Sequence, residues 1–289
     1  MKKSALKIST FLVLILFGCS SNEEASELDE NLEYSYQGKE YNKLALTNPP
    51  FDGTIWITGD IITSTDPSLY SDILYKGTGL RQMYDRRNGG RWVNLEAHLF
   101  DVDFTDGLKT EIQVNPEFSF ENASVEAAKY AFLIGQLSTE LRRDVETMWI
   151  HKGEQAYGGG NNNILVHTGM TTVYENYDSG IVEETLIHEA AHTSLDAYHY
   201  PNGGWTNSGN SDGEGWIKAT KDDDQQYIST YAKNHPLRED LAELLPLYIA
   251  VRYFPERISS ELRDTILSVN RHRIEYLDSQ NLNMSVYEN

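Results

Sequence analysis

The chain has 289 residues, of which 44 are acidic and 24 are lysine or arginine, so its formal net charge at pH 7 is −20. This balance excludes a protein that relies on a basic surface to bind nucleic acid. Hydrophobic residues make up 39% of the chain, which excludes a wholly disordered protein, and the single cysteine excludes both a disulfide framework and a four-thiolate zinc site.

The N-terminal segment has the pattern of a bacterial signal peptide. Lysines precede a mostly apolar run at residues 8–17, which is much shorter than the roughly 20 residues that a membrane-spanning helix needs. The sequence Leu-Phe-Gly-Cys that ends at Cys19 resembles a lipobox, in which the signal is cut before the cysteine and the thiol receives diacylglycerol. We therefore expect residues 1–18 to be a signal peptide and Cys19 to be lipidated.

The segment after the signal peptide, residues 19–33, is expected to be an acidic tether because it is rich in Ser, Glu, Asn and Asp. Residues 20–24 are similar to the export signals of surface lipoproteins in Bacteroidota. Without residues 1–18 the net charge becomes −23, so attachment to the membrane must come from the lipid on Cys19 rather than from a basic patch. We expect an outer-membrane lipoprotein exposed at the cell surface, with a periplasm-facing location as the alternative.

Residues 34–289 are expected to form a single α+β domain, because no linker rich in Pro, Gly or Ser and no internal repeat interrupts them. Alternating or β-branched residues predict strands at 54–58, 91–104 and 110–115, and the Asn-Gly-Gly sequence at 88–90 predicts a turn. The first third of this domain is therefore rich in strands.

The middle of the chain changes from strand to helix signals and back. Residues 124–145 have an Ala/Leu/Glu/Arg composition with apolar residues at helical spacing, which predicts a long helix or a broken pair of helices. Short strands are predicted at 147–151 and 164–168, on either side of a loop at 158–163 that contains three glycines and three asparagines.

The sequence His188-Glu-Ala-Ala-His192 carries the strongest chemical signal. Two histidines four residues apart on a helix project from one face, where both imidazoles can hold one Zn²⁺, and Glu189 can reach a water on that metal. Residues 181–198 contain no Pro or Gly and include several apolar residues, so a helix is expected here. By contrast, His151 and His167 are expected to be structural or exposed.

A catalytic zinc needs a third protein ligand, which the motif itself does not supply. The metzincin pattern places a histidine six residues after the second one, but Tyr198 stands there and His199 comes one residue late. A glutamate on a second helix is the other source. Pro236 favours the start of such a helix, and Glu239 and Glu243 would share one of its faces.

The HEAAH motif and the downstream segment that runs from Tyr231 to Glu243 together resemble the zincin metallopeptidases whose third ligand is a glutamate, closest to the group that contains the anthrax lethal factor catalytic domain. The resemblance implies that Glu239 binds zinc and that the Tyr231 hydroxyl donates a proton. Eight steps, or seven intervening residues, separate this tyrosine from Glu239, and Tyr227 is the alternative donor. The resemblance also implies a zincin-like α+β fold, with a mixed-sheet lobe that carries the active-site helix and a helical C-terminal lobe.

The expected function is zinc-dependent hydrolysis of a peptide or protein substrate, with one Zn²⁺ per chain held by His188, His192 and Glu239, and with Glu189 as general base and Tyr231 as proton donor. The strand at 164–168 is expected to be the sheet edge that binds an extended substrate. The alternatives are a catalytically silent surface-binding lipoprotein and a zinc hydrolase of a non-peptide bond. No nucleic-acid partner is expected, and the sequence leaves the oligomeric state open.

Overall fold

The computed structural model describes residues 34–36, 39–41, 48–54, 61–177, 180–196, 212–236 and 238–288. The predicted signal peptide, the lipidation site at Cys19 and the acidic tether lie outside these residues, as does nearly all of the strand predicted at 54–58. None of the described helices is both long and apolar enough to cross a membrane.

A six-stranded mixed sheet and eight α-helices form the described part of the chain, so the coarse α+β prediction is confirmed. A separate two-stranded sheet joins β1 (Tyr34–Tyr36) and β2 (Lys39–Tyr41). The six-stranded sheet contains β3 (Tyr70–Asp85), β4 (Arg91–Phe104), β5 (Lys109–Val114), β6 (Thr147–His151), β7 (Gly158–Gly160) and β8 (Asn163–His167). The helices are α1 (Phe120–Gly135), α2 (Thr139–Arg142), α3 (Thr168–Tyr177), α4 (Ile181–Ala191), α5 (Asp212–Asp222), α6 (Thr230–Asn234), α7 (Asp240–Tyr253) and α8 (Ser260–Ser279).

The strand order across the large sheet is β3-β4-β5-β6-β8-β7. Strands β3, β4 and β5 are antiparallel neighbours, whereas β5, β6 and β8 run parallel, and β7 pairs antiparallel with β8. Helices α1 and α2 form the crossover from β5 to β6, which matches the predicted broken pair of helices. Ser138 separates them, because its side chain accepts the Leu141 N–H and caps the start of α2.

The core lies on one face of the sheet, between the strands and the helices. Helix α7 is at its centre, since every residue from Asp240 to Val251 is buried, as expected for a helix covered on all sides. The strands contribute the side chains that alternate toward this face. They include Phe100, Val102, Ile112, Val114, Met148, Ile150, Ile164 and Val166.

The prediction that residues 164–168 form the sheet edge was wrong. Strand β8 has β6 on one side and β7 on the other, and β7 is the terminal strand of the described sheet. The predicted loop at 158–163 is in fact β7 and a tight turn at Asn161 and Asn162, whose φ angles are 53° and 57°. Two consecutive positive φ angles are typical of the type I′ hairpin turn, which favours asparagine.

Two buried histidines, His151 and His167, stack at the C-terminal ends of β6 and β8 with ring centroids 5.3 Å apart. The Asn115 side-chain amide donates to Nδ1 of His151 at 2.9 Å, so this ring is held in its neutral form. His167 Nδ1 lies 2.8 Å from the Lys152 carbonyl oxygen and donates to it. Burial first, and then the neighbouring His167, lower the pKa of His151 to about 4.

We predict that His151 makes the fold sensitive to acid. Between pH 6.5 and about 4, the unfolded chain takes up a proton on this ring that the folded protein excludes, so the free energy of unfolding falls as the pH is lowered through this window. The free energy of unfolding that is lost between pH 7 and pH 5 should be smaller in His151→Gln than in the wild type by about 2 kcal/mol. Urea unfolding at both pH values measures this difference.

The matched control is His98→Gln, which alters a half-buried histidine on β4. An acid sensitivity that stays the same in His151→Gln would show that another group is responsible.

Candidate metal centre

The end of helix α4 and the turn that follows it carry the two histidines of the HEAAH motif. His188 lies in its last turn, and His192 directly follows it at the start of a π-helical turn, His192–Asp196, rather than within the single helix predicted for 181–198. The two Nε2 atoms are 3.2 Å apart, and the rings meet edge to face with centroids 4.8 Å apart. Two histidines four residues apart therefore converge as their spacing predicts.

Glu239 completes the cluster from the start of α7. Its Oε2 atom lies 3.0 Å from Nε2 of His192 and 3.3 Å from Nε2 of His188. The helix was expected to start near Pro236, but it starts at Asp240, and Glu239 is its N-cap residue. The Glu239 N–H donates to the His235 carbonyl at 2.8 Å, and the Glu239 carbonyl accepts from the Glu243 N–H at 2.7 Å. These bonds fix the main chain that carries the carboxylate.

The three side chains fit a zinc ion. Ligand atoms that lie about 2.0–2.2 Å from a tetrahedral zinc are about 3.3–3.6 Å from one another. The ligand atoms of the cluster are 3.0, 3.2 and 3.3 Å apart, slightly closer than this. Their side chains are only 11%, 14% and 5% exposed. Among the described residues, this is the group of three His, Cys, Asp or Glu side chains whose ligand atoms lie close enough to hold a metal.

The charges in the cluster favour an ionised Glu239. Burial raises the pKa of this carboxyl, but the positive charges of His192 and His188 and their hydrogen bonds outweigh burial and hold the pKa well below its ordinary value. A carboxylate between two imidazoles is the donor set that zinc binds in catalytic sites with two histidines and one glutamate.

A second glutamate stands behind the first histidine. Oε1 of Glu243 is 3.6 Å from Nδ1 of His188, beyond a direct hydrogen bond but close enough to orient the ring electrostatically. Its Oε2 atom accepts a hydrogen bond from the Ser229 hydroxyl at 2.6 Å. Ser229 also caps α6, since its Oγ accepts the Ala232 N–H at 3.0 Å. The predicted shared face of Glu239 and Glu243 thus brings both carboxylates to the histidines.

The structure brings Tyr231, and not Tyr227, to the cluster. Burial first, and then the charge and hydrogen bond of Glu239, raise the pKa of Tyr231 well above its ordinary value, so its hydroxyl keeps its proton. Tyr227 is buried elsewhere, with its ring 5.3 Å from the guanidinium carbon of Arg273. Glu189 is half-buried, and its charge contributes to the raised pKa of both Tyr231 and Tyr174.

A main-chain contact that the sequence did not predict joins β7 to α4. A Cβ atom at Gly159 would collide with the main-chain carbonyl of Glu189, so the strand lies directly against the helix at the motif glutamate. The Thr193 hydroxyl accepts the Gly160 N–H at 2.9 Å and lies 2.9 Å from the carbonyl oxygens of both Asn163 and Glu189. The three consecutive glycines are the feature of the sequence from which this close approach could have been predicted, because glycine in a strand often marks a site where another main chain comes near.

A buried ion-pair network holds the start of α7. Arg273 on α8 pairs with Asp240 at 2.6 Å and with Asp223 at 3.0 Å, and its side chain is fully buried. The Trp216 indole N–H on α5 donates to the other Asp240 oxygen at 3.1 Å. Because Asp240 directly follows Glu239, this network fixes the helix start that presents the third side chain of the cluster.

The chain matches no protein-family model, no curated protein and no solved structure.

We predict that Gly159→Ala destabilises the protein by about 1–3 kcal/mol, because the added methyl group must push β7 away from α4. The free energy of unfolding in urea measures the effect. Gly79→Ala is the control, since its added methyl group meets only side-chain atoms, of Leu99 at 2.9 Å and of Arg81 at 3.5 Å, and no main chain. Equal stability of Gly159→Ala and the wild type would contradict the close approach of the two main chains.

Proposed function

We propose that this protein is a zinc-dependent peptide hydrolase with a zincin-like catalytic domain. The observation that carries the proposal is the convergence of His188, His192 and Glu239 on one point, next to a glutamate that is not part of the cluster. A purely structural zinc site fills its four positions with protein ligands, whereas three ligands leave one position for water or substrate. The sheet beside the motif helix and the glutamate from a later helix are the features of the expected zincin arrangement.

The three side chains of the cluster would hold the metal through Nε2 of each histidine and a carboxylate oxygen of Glu239. The chemistry that zinc supplies in such a site is polarisation of a carbonyl and a lowered pKa for water. Glu243 would keep the His188 ring in place from its Nδ1 side, with Ser229 fixing the carboxylate in turn.

Two further residues would act on the reacting atoms. Glu189 would accept the proton of the attacking water and deliver it to the leaving amine, a role that its half-buried position beside His188 supports. Tyr231 would donate a hydrogen bond to the carbonyl oxygen as negative charge develops on it. Its raised pKa supports this role, since the hydroxyl must keep its proton until it is needed.

The position of strand β7 supports the proposal that the substrate is an extended peptide. It ends the described sheet, and its middle residue, Gly159, packs on the main chain of Glu189. A peptide that lies extended beside this strand would therefore pass close to the general base. The lipid attachment at Cys19 that the sequence predicts would place this activity outside the cytoplasm, at the outer membrane.

We predict one zinc ion per chain in the wild type and loss of that zinc in Glu239→Ala, because two imidazoles alone leave the metal without its anionic ligand. Metal analysis after dialysis against a weak chelator measures both. The control is Glu256→Ala, which removes an exposed glutamate after α7. Full zinc in Glu239→Ala would exclude Glu239 as a ligand, and a wild type without zinc affinity would exclude the site.

We predict that Glu189→Gln lowers the rate of peptide cleavage by about 10²–10⁴-fold and leaves zinc bound, because the amide cannot accept the proton. Cleavage of a peptide library with and without chelator identifies a substrate for this measurement. Glu183→Gln, on the same helix, is the control.

Tyr231→Phe should lower the rate by a smaller factor, whereas Tyr227→Phe should leave it unchanged apart from any loss of stability. A Glu189→Gln protein that cleaves as fast as the wild type would contradict the mechanism. A wild type that cleaves no peptide would favour a binding lipoprotein or a hydrolase of another bond.

A further inference from the structure

Strand β3 forms the end of the six-stranded sheet that lies opposite β7, and no described strand lies along its outer edge. It has 16 residues, whereas β7 has three. A long edge strand presents a row of main-chain N–H and C=O groups to which another strand can pair. The side chains and charges along this edge therefore decide whether it can bind a partner.

The hydrogen bonds of β4 show which main-chain groups of β3 point away from the sheet. The Phe104 N–H donates to the Leu108 carbonyl on the β5 side. Bonding directions alternate along an antiparallel strand, so every second residue of β4 faces β5, and the β3 residues opposite these point their main-chain groups outward. The outward-facing residues are Ile73, Tyr75, Thr78, Leu80, Gln82 and Tyr84.

Most of these outward groups are open. The Ile73 N–H donates to the Asp72 side chain at 2.9 Å, and the Leu80 carbonyl accepts from Nη1 of Arg81 at 3.0 Å. Both partners are side chains of the adjacent residue, and the carbonyl keeps a second lone pair. The other outward groups, which include the Leu80 N–H, have no main-chain partner in the described part of the chain.

The side chains of this edge do not protect it. Natural sheet edges are commonly protected by charged residues, proline or β-bulges, but none of the six outward-facing residues is charged or proline. The two register shifts of β3 end at Gly77, so residues 77–85 form a regular strand. Leu80 is 63% exposed, and on the same face of the sheet Trp92 is 54% exposed opposite Tyr84.

Strand β3 carries no net charge, although the whole chain has a net charge of −20. Its two acidic and two basic residues cancel. Lys76 also pairs with Asp101 at 3.0 Å, and Arg81 pairs with Glu111 at 2.8 Å. Two copies of the chain can therefore bring this edge together without the like-charge repulsion that opposes contact between acidic surfaces.

The opposite end of the sheet is closed to a further strand. On β7 the Gly160 N–H donates to the Thr193 hydroxyl, and Gly159 lies against the main chain of Glu189. Pairing between the β3 strands of two copies would use the open edge of each copy and would leave only the two β7 ends of the joined sheet. The assembly would therefore stop at two copies.

We infer that the protein forms a two-fold symmetric dimer in which the β3 strands of two copies pair antiparallel and join the two sheets into one. A two-fold axis makes the paired strands antiparallel, so that the outward N–H and C=O groups of one copy face those of the other. The exposed Leu80 then gains cross-strand neighbours from the second copy. The inference does not depend on the proposed function, because β3 and the candidate metal centre beside β7 lie at opposite ends of the sheet.

Sedimentation velocity of the full chain tests the dimer. We expect a monomer–dimer equilibrium in which the dimer fraction rises between about 1 and 100 µM protein. The variants keep the same N-terminus as the wild type, so any association through residues 1–33 is common to all samples. The difference between variants therefore reports the contribution of β3.

Leu80→Pro should weaken dimerisation about tenfold or more, because it removes an outward N–H and leaves the hydrogen bonds with β4 in place. Leu80→Lys should also weaken it, since it puts a like charge on the edge of both copies. The matched control is Val125→Lys on α1, where the replaced side chain is 67% exposed, and it should leave dimerisation unchanged. If Leu80→Pro does not fold, Leu80→Lys decides.

Residue-resolved hydrogen exchange distinguishes a second copy from a segment of the same chain as the occupant of the edge. Exchange at the Leu80 and Gln82 N–H groups should slow as the protein concentration rises, whereas Arg81 and Met83, which face β4, should exchange slowly at every concentration. A monomer at all concentrations, a dimer that both Leu80 variants leave unchanged, or slow exchange at Leu80 and Gln82 in the monomer would overturn the inference.

Discussion

The arrangement of the molecule depends on one nearly buried carboxylate, Glu239, held between two imidazoles. Moving an ionised carboxylate out of water is costly unless positive charge and hydrogen bonds compensate, and His188 and His192 provide both. This contact requires two helices that are far apart in the chain, α4 and α7, to meet within hydrogen-bond distance. The surrounding structure holds their ends: Arg273 anchors Asp240 at the start of α7, and Thr193 ties the end of α4 to the sheet.

The parts of the site that are local in sequence could be predicted, and the parts that depend on packing could not. The HEAAH spacing alone places two imidazoles on one helix face, and a proline three residues upstream indicates a helix start near Glu239. The N-cap position of Glu239 depends on its bond to His235 and on the ion pair of its neighbour with Arg273, 33 residues after Asp240. No pattern within a short window reports such a contact.

Two of the strands that the sequence did not predict, β3 and β7, also depend on contacts outside their own segments. Strand β3 has only Met83 fully buried among its residues, so the usual alternation of apolar and polar residues is weak. Strand β7 consists of three glycines, which disfavour strands by propensity, and it forms because its main chain packs against Glu189. Tertiary contact decides both cases, and at β7 it moves the sheet edge from the predicted strand to the glycine segment.

Net charge is a poor guide to what such an edge can bind. An overall charge of −20 favours basic or neutral partners at long range, but screening at physiological ionic strength confines that field to about 8 Å from each exposed charge. Beside β7 the short-range field has contributions of both signs, because the Arg86 guanidinium lies against Gly158 and the main chain of Glu189 lies against Gly159. Both charges act on the Tyr174 hydroxyl, whose pKa is raised mainly by burial and further by Glu189, and is lowered by Arg86, so the local potential follows from the positions of single groups rather than from the sum of the surface charges.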